Sequence, residues 1–142
     1  MKIALIGYGN MGHEVENLIN ESGIHQVVSI SYKNPNDNLD KEGMIKADVV
    51  IDFTSPEVVV NTMKEVAGMG KNMVVGTTGW YDFLPEVKAV VKRSKTGLIY
   101  AQNFSIGANI FFKIVGFASS LFGKFGNYDV AGFEIHHTGK KD

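Results

Sequence analysis

A glycine-rich turn near the start of the chain constrains its fold more than any other stretch. The apolar run Ile3–Ile6 leads directly into this turn, which consists of Gly7, Tyr8, Gly9, Asn10, Met11 and Gly12. A helical pattern follows, and the order of strand, tight turn and helix start is the one that a dinucleotide-binding fingerprint requires. Gly7 permits the sharp turn, Gly9 lets the backbone approach a pyrophosphate, and Gly12 lets the helix pack close to the strand. Flanked in this way, the turn favours a dinucleotide site over an ordinary connection between a strand and a helix.

Composition excludes several classes of function. The chain has 142 residues, of which 44% are hydrophobic and 20% charged, which fits one globular domain of ordinary size. Its net charge of -1 gives no electrostatic reason to expect nucleic acid or an acidic membrane surface as a partner. Because there are no cysteines, disulfides, thiolate catalysis and cysteine-type zinc sites are excluded. No signal segment opens the chain, so we expect a cytoplasmic protein.

Apolar runs and helical spacing alternate along most of the chain. The predicted strands are residues 3–6, 26–32, 47–53, 72–75 and 97–101. Between them lie predicted helices at 10–22, from Pro56 onward and at 81–94, and a polar loop at 33–38. The first helix should bury one apolar face, made of Met11, Val15, Leu18 and Ile19. The helix from Pro56 has the same helical spacing of apolar residues at Val59, Met63, Val66 and Ala67. This alternation predicts an α/β fold, a doubly wound parallel sheet with right-handed crossovers.

The pattern changes after Asn103. Residues 106–122 are apolar nearly all round, which predicts a helix buried on several sides. A membrane span is the alternative, but Asn109 and Lys113 interrupt a run already at the lower limit of length. Residues 129–137 then have the pattern of a strand, and they fit poorly as a sixth strand of the same sheet because no helix follows them.

Several loops carry useful chemistry at the carboxyl ends of the predicted strands, where ligands of such sheets bind. Lys33 follows the second strand where an acid would select a ribose diol, and a cation there suits a 2′-phosphate. A solvated loop lysine explains Lys33 equally well. Residues 52–55 form another such loop, although a plain helix cap is a strong alternative for Ser55. Residues 76–79 place small side chains and hydroxyls where a nicotinamide ring could lie, and on their own they would be an ordinary loop.

The last residues contain two adjacent histidines. On a strand, His136 and His137 would point to opposite faces, so they are poorly placed to bind one metal ion together. His136 with Lys140 nearby offers a proton donor at neutral pH and a cation for an anionic substrate. From spacing alone, a solvated polar tail is the stronger interpretation.

Taken together, these blocks of sequence resemble one enzyme family. The blocks are GYGNMG at 7–12, DFTSPE at 52–57, GTTGW at 76–80, AQNFSIGAN at 101–109 and EIHHTGKKD at 134–142. They follow one another in the order seen in dihydrodipicolinate reductases, also called 4-hydroxy-tetrahydrodipicolinate reductases, with nearly colinear spacing over the whole chain. The resemblance implies a Rossmann sheet at 1–104 and the start of a second, α+β substrate domain at 105–142.

The resemblance also implies a role for individual residues. Those expected to bind NADPH or NADH are Gly7, Tyr8, Gly9, Asn10, Met11, Gly12, Lys33, Gly76, Thr77, Thr78, Ala101, Gln102, Asn103 and Phe104. His136 matches the active-site histidine of the family, His137 a contact to a substrate carboxylate, and Lys140 the proton donor. The implied reaction reduces a cyclic dihydrodipicolinate-type imine, a small dicarboxylate, in lysine and diaminopimelate biosynthesis, without a metal. Lys33 and the missing acid predict that NADPH binds at least as well as NADH.

The chain departs from the family at two places. Gln102 stands where the family often has proline. The family also continues after Asp142 into a substrate-binding segment and a mixed sheet, so we expect a truncated form with little activity. The family assembles its homo-tetramer through that sheet, so the oligomeric state does not transfer.

A stand-alone NAD(P)-binding module and a related dehydrogenase acting on amino or imino acids remain alternatives.

Overall fold

The computed structural model describes residues 1–32 and 37–135. It divides into two compact units, Met1–Gln102 and the residues from Asn103 onward, and each is described by itself.

The first unit is a five-stranded parallel sheet with the strand order β2-β1-β3-β4-β5. The strands are β1 (Lys2–Ile6), β2 (Gln26–Ser31), β3 (Val49–Asp52), β4 (Asn72–Val75) and β5 (Leu98–Tyr100). The helices are α1 (Asn10–Ser22), α2 (Lys41–Lys46), α3 (Pro56–Gly68) and α4 (Leu84–Ser94), with a 3-10 turn at Tyr81–Phe83. The predicted doubly wound parallel fold is confirmed. After β2 the chain crosses to the other side of β1 to form β3, and sheets of this kind bind ligands at such a switch point.

Two cores cover the two faces of the sheet. Along β1, Ala4 and Ile6 point to one face, while Ile3 and Leu5 point to the other. Helices α2, α3 and α4 cover the first face, with α3 burying the residues predicted for it, Val59, Met63, Val66 and Ala67. Helix α1 covers the second face. The sheet is therefore held from both sides, and its carboxyl edge is left for loops.

Helix α1 has the predicted ends but a different buried face. Gly12 and Ile19 are buried, whereas Met11 and Leu18, both predicted to be buried, are 51% and 63% exposed. The cause is the close approach at Gly12, since a Cβ there would meet the carbonyl oxygen of Gly7. Because glycine has no side chain, Gly12 adds nothing to a hydrophobic pattern. The face predicted from the apolar residues therefore differs from the observed buried face, which contains Gly12 and Ile19.

Helix α2 was not predicted at all. It has six residues and is capped by Asp40, whose carboxylate accepts a hydrogen bond of 3.0 Å from the Gly43 backbone N–H. One buried methionine, Met44, anchors it to the core. A helix this short offers too few turns for a periodic pattern to be visible.

The second unit contains α5 (Ile106–Phe122), with the predicted bounds and with Ser105 as its cap. The prediction that α5 is buried on several sides is wrong, because none of its residues is buried. The predicted strand at 129–137 is also wrong over its described part, since residues 129–135 form no strand. A strand forms by pairing, and the part of this unit that the structure describes holds no partner strand. No helix within 1–32 or 37–135 is long and apolar enough to cross a membrane.

Candidate functional site

The glycine turn after β1 has the geometry that its sequence predicts. Gly7 has a φ of +85°, and a Cβ there would lie 2.5 Å from the carbonyl oxygen of Phe53. Its N–H donates a 3.0 Å hydrogen bond to the carbonyl of Ser31, which ties the turn to the end of β2. Gly7 and Gly12 are thus required by the fold. Gly9 differs, because a Cβ there would have nothing within 4 Å.

The N terminus of α1 is open to an anion. Gly9 is the cap residue, so no side chain accepts a hydrogen bond from the first N–H groups of the helix. The first turn of α1, which is described in full, contains no acidic residue. These N–H groups and the helix dipole suit the pyrophosphate of a dinucleotide, and the exposed Gly9 leaves room for it.

Tyr8 connects this turn to α1 and to β2. Its ring packs against His13 with 3.9 Å between ring centroids, and its hydroxyl donates a hydrogen bond to Glu16. That hydrogen bond raises the pKa of the Tyr8 hydroxyl. The Tyr8 N–H donates to the carbonyl of Tyr32, a residue in the left-handed region with a φ of 55°. The end of β2 is thereby fixed beside the glycine turn.

Phe53 joins the turn after β1 to the loop after β4. Its carbonyl lies against Gly7, and its ring lies on Gly76, where any Cβ would overlap the ring. The sequence places Phe53 at the end of a strand and in the loop 52–55, but Phe53 itself is not among the predicted site residues. The signal that could have revealed it is the aromatic residue directly after a buried run, at the edge where ligands bind.

The loop after β4 is held by buried contacts. The Gly76 N–H donates to the carbonyl of Asp52 at 2.9 Å. Thr77 is buried, and its carbonyl accepts a 2.8 Å hydrogen bond from the indole N–H of Trp80, which is fully buried. Thr78 is exposed. Of the two threonines predicted to border a nicotinamide, Thr77 is therefore fixed in the protein and Thr78 faces solvent.

Asp52 lies beneath these loops at the end of β3. Its Oδ1 accepts hydrogen bonds from the Thr54 N–H at 2.8 Å, the Thr54 hydroxyl at 2.7 Å and the Thr77 hydroxyl at 3.3 Å. Its Oδ2 is buried and has no hydrogen-bond partner among residues 1–32 and 37–135. Burial raises the pKa of this carboxyl to about 6, against the opposing effect of the bonds from Thr54 and Thr77. Sequence reasoning placed Asp52 in a helix-cap segment and missed it as a site residue.

The remaining predicted site residues fall into three groups. Ala101 and Gln102 follow β5 at the same edge of the sheet, and the Ala101 N–H donates to the Val75 carbonyl at 3.4 Å. Asn103 and Phe104 belong to the second unit, in which the Asn103 side chain accepts a 2.8 Å hydrogen bond from the Ser105 N–H. The predicted residues outside the described part of the chain are Lys33, His136, His137 and Lys140. Within the described ranges, no group of three histidine, aspartate or glutamate side chains could hold a metal ion.

With this geometry in place, known proteins can be compared. The sequence model of the family described as "Dihydrodipicolinate reductase, N-terminus" matches residues 1–104. The chain belongs to this family. A 4-hydroxy-tetrahydrodipicolinate reductase from Methanococcus aeolicus is 36% identical over 97% of the chain and 44% of its own length. One from Christiangramia forsetii is 33% identical over 100% of the chain and 58% of its own length.

A solved structure extends the similarity to three dimensions. The dipicolinate-bound dihydrodipicolinate reductase from Paenisporosarcina sp. TG-14 matches with a TM-score of 0.69 and 25% identity. The match covers 84% of this chain and 54% of that one. The chain thus spans about half the length of the reductases that it resembles.

Proposed function

We propose that this chain is the cofactor-binding part of a 4-hydroxy-tetrahydrodipicolinate reductase. The complete enzyme would use NADPH or NADH to reduce a dihydrodipicolinate-type cyclic imine, in lysine and diaminopimelate biosynthesis. The observation that carries the proposal is the glycine turn, where Gly7 and Gly12 fit tightly and Gly9 is open beside an uncapped helix start. Family membership supports the reaction class, since the relatives bear the name of this reductase.

The residues proposed to bind the cofactor are those of the glycine turn, Lys33 and the loops after β4 and β5. The open helix start suits the pyrophosphate, and the loop of Gly76, Thr77 and Thr78 is proposed to border the nicotinamide ring. Ala101, Gln102, Asn103 and Phe104 are proposed as a second contact segment. We keep Lys33 as the proposed ligand of a 2′-phosphate, which motivates the expected preference for NADPH.

When bound, the reduced nicotinamide supplies a hydride to the substrate. Hydride addition leaves a negative charge on the ring of the substrate, and a proton must neutralise this charge. We propose that His136 and Lys140 hold and deliver that proton. His137 is proposed to contact a substrate carboxylate, because cations favour the binding of a dicarboxylate. These roles follow from the resemblance of the block at 134–142 to the family.

The remaining proposals concern the organisation of the protein. We propose a dinucleotide domain at 1–104 and the beginning of a substrate domain at 105–142. Since the chain spans 44% to 58% of the relatives' lengths, we propose that it is a truncated form with little turnover of its own. A homo-tetramer is proposed only for the complete enzyme, and a cytoplasmic location is proposed for both.

The substitution Gly9→Ala tests the cofactor site with little effect on the fold. Because a Cβ at Gly9 meets nothing within 4 Å, the variant should fold and lose less than about 1 kcal/mol of stability at the helix cap. The added methyl would nevertheless stand where the pyrophosphate approaches. We expect the dissociation constants for NADPH and NADH, measured by calorimetry, to rise about tenfold or more.

Gly68→Ala is the matched control, since a Cβ at Gly68 also meets nothing within 4 Å but lies at the end of α3. Its cofactor affinity should equal that of the unchanged chain. Equal affinity in Gly9→Ala would contradict the assignment of this turn. Unchanged turnover of the complete gene product carrying His136→Ala and Lys140→Ala would remove the roles proposed for these two residues. No turnover by the complete gene product without these substitutions would favour a binding module without catalysis.

A further inference from the structure

Asp52 is an acidic residue at the end of β3, the central strand of the parallel sheet, where apolar residues are usual. Its neighbours in the strand register are Ile6 on β1 and Val75 on β4, which are both apolar and fully buried. Asp52 itself is only 2% exposed. A carboxylate in such surroundings loses its hydration, and this loss is offset only where hydrogen bonds replace the water.

The hydrogen bonds that Asp52 receives are unevenly divided. Oδ1 accepts from the Thr54 N–H, the Thr54 hydroxyl and the Thr77 hydroxyl. Oδ2 accepts none and is sealed from solvent. Since a ligand cannot reach Oδ2 in this conformation, the Asp52 carboxylate acts on a ligand through the two threonines that it holds.

Those two threonines begin the loops that surround the candidate site. Thr54 precedes the cap of α3, and Thr77 lies between Gly76 and the exposed Thr78. The backbone of Asp52 reaches the same loop, because its carbonyl accepts from the Gly76 N–H. The indole N–H of Trp80 holds the same loop by donating a hydrogen bond to the Thr77 carbonyl. One carboxylate therefore connects the loops after β3 and β4.

We propose that Asp52 is a positioning residue, which holds Thr54 and Thr77 so that the loop after β4 keeps the shape that receives the nicotinamide ring. This inference rests on the cofactor site proposed above and deepens it. An ionised Oδ1 binds its three donors more strongly than a neutral carboxyl or amide oxygen does. Protonation should therefore loosen the loop and weaken cofactor binding.

The pH range of this effect follows from the groups around Asp52. Burial holds the pKa of Asp52 at about 6. On the loops and first helical turns after β1, β3 and β4, the described titratable side chains are Tyr8, His13, Glu57, Tyr81 and Asp82. The pKa values of Tyr8 and Tyr81 are raised and that of Glu57 is lowered, so these three stay in one state near pH 6. His13, whose ring packs against Tyr8 at this edge of the sheet, is given its own control.

Trp80 provides a readout that requires no cofactor. It is the one tryptophan of the sequence, it is fully buried, and it is bonded to the loop that Asp52 holds. Its emission should change between about pH 5 and pH 8, with a midpoint near 6. Asp52→Asn should abolish this transition. Asp48→Asn, at the exposed opposite end of β3, and His13→Gln should both retain it.

The same variants are then titrated with NADPH and NADH at about pH 8, where Asp52 is ionised. We expect Asp52→Asn and Thr77→Val to raise the dissociation constants about tenfold, which corresponds to the loss of a hydrogen bond to a charged group. Thr77→Ser restores the hydroxyl and should bind nearly as well as the unchanged chain. Thr77→Val also covers the case in which Asp52→Asn fails to fold.

The two readouts separate the possible failures. A Trp80 transition that persists in Asp52→Asn, or affinities unchanged in both Asp52→Asn and Thr77→Val, would overturn the positioning role. If neither cofactor binds the unchanged chain, the proposed cofactor site is wrong. The Trp80 titration then decides by itself whether Asp52 holds the loop.

Discussion

The buried carboxyl of Asp52 should make the folded protein less stable at neutral pH than in mild acid. Its pKa rises from 3.8 to about 6 on folding, chiefly through burial. Since one pKa unit corresponds to about 1.4 kcal/mol, this group lowers the free energy of unfolding by about 3 kcal/mol between acid and neutral pH.

The sign follows from the two titrations. The unfolded chain loses this proton near pH 3.8, whereas the folded protein keeps it until about pH 6. The stabilisation is therefore fully present below pH 3.8 and is lost as the pH rises through 6. Asp40 and Glu57 act in the opposite sense, because hydrogen bonds lower their pKa values and their contributions disappear as the pH falls.

Comparison of the unchanged chain with Asp52→Asn isolates the effect, because Asp40 and Glu57 are present in both. Urea unfolding is followed by circular dichroism and by Trp80 fluorescence across this pH range. Relative to the unchanged chain, the variant should gain about 2 kcal/mol between pH 4 and pH 7, since part of the total is already lost at pH 4. The buried amide of the variant leaves an N–H donor unpaired, which lowers the free energy of unfolding by about 1–3 kcal/mol at every pH. The decisive quantity is therefore the change in this free energy with pH, and its absolute value decides nothing. Parallel pH profiles for the two proteins would refute the reasoning.

Two further predictions concern the glycine turn and the end of β2. Gly12→Ala should lower the free energy of unfolding by about 1–3 kcal/mol, because its Cβ would run into the Gly7 carbonyl; denaturant unfolding checks this, and a stability equal to that of Gly9→Ala would contradict it. If Lys33 pairs with a 2′-phosphate, Lys33→Ala should weaken NADPH about fivefold and leave NADH unchanged, since an exposed ion pair contributes up to about 1 kcal/mol. Equal losses for both cofactors, measured by calorimetry, would remove that role from Lys33.

The features that could be predicted from sequence are those fixed by neighbours along the chain. The Ser55-Pro56 start of α3 was predicted from capping chemistry, and its buried face was predicted from helical spacing. The glycine turn was predicted because Gly7 needs a positive φ, which is a local property of the backbone. In each case the physical cause lies within a few residues of its consequence.

The environment of Asp52 could not be predicted in this way. Its partner Thr77 is 25 residues away in sequence, and the two meet only because β3 and β4 are neighbours in register. A single acid after an apolar run is also what an exposed strand end or a helix cap looks like. Its environment depends on the loops after β3 and β4 meeting at Asp52, and no local pattern contains that information.

Helix α5 shows how the hydropathy of a helix can disagree with its exposure. Its sequence is apolar on almost every side, yet Ile106, Phe111 and Phe117 are 78%, 61% and 67% exposed. Single domains rarely leave an apolar surface of this kind uncovered. The pattern therefore reports the surroundings in which α5 is stable, and the described residues do not supply them. The chain spans about half the length of its relatives. The truncation proposed above would explain the exposure of α5 if the residues that cover this helix lie in the part of the relatives that the chain does not match.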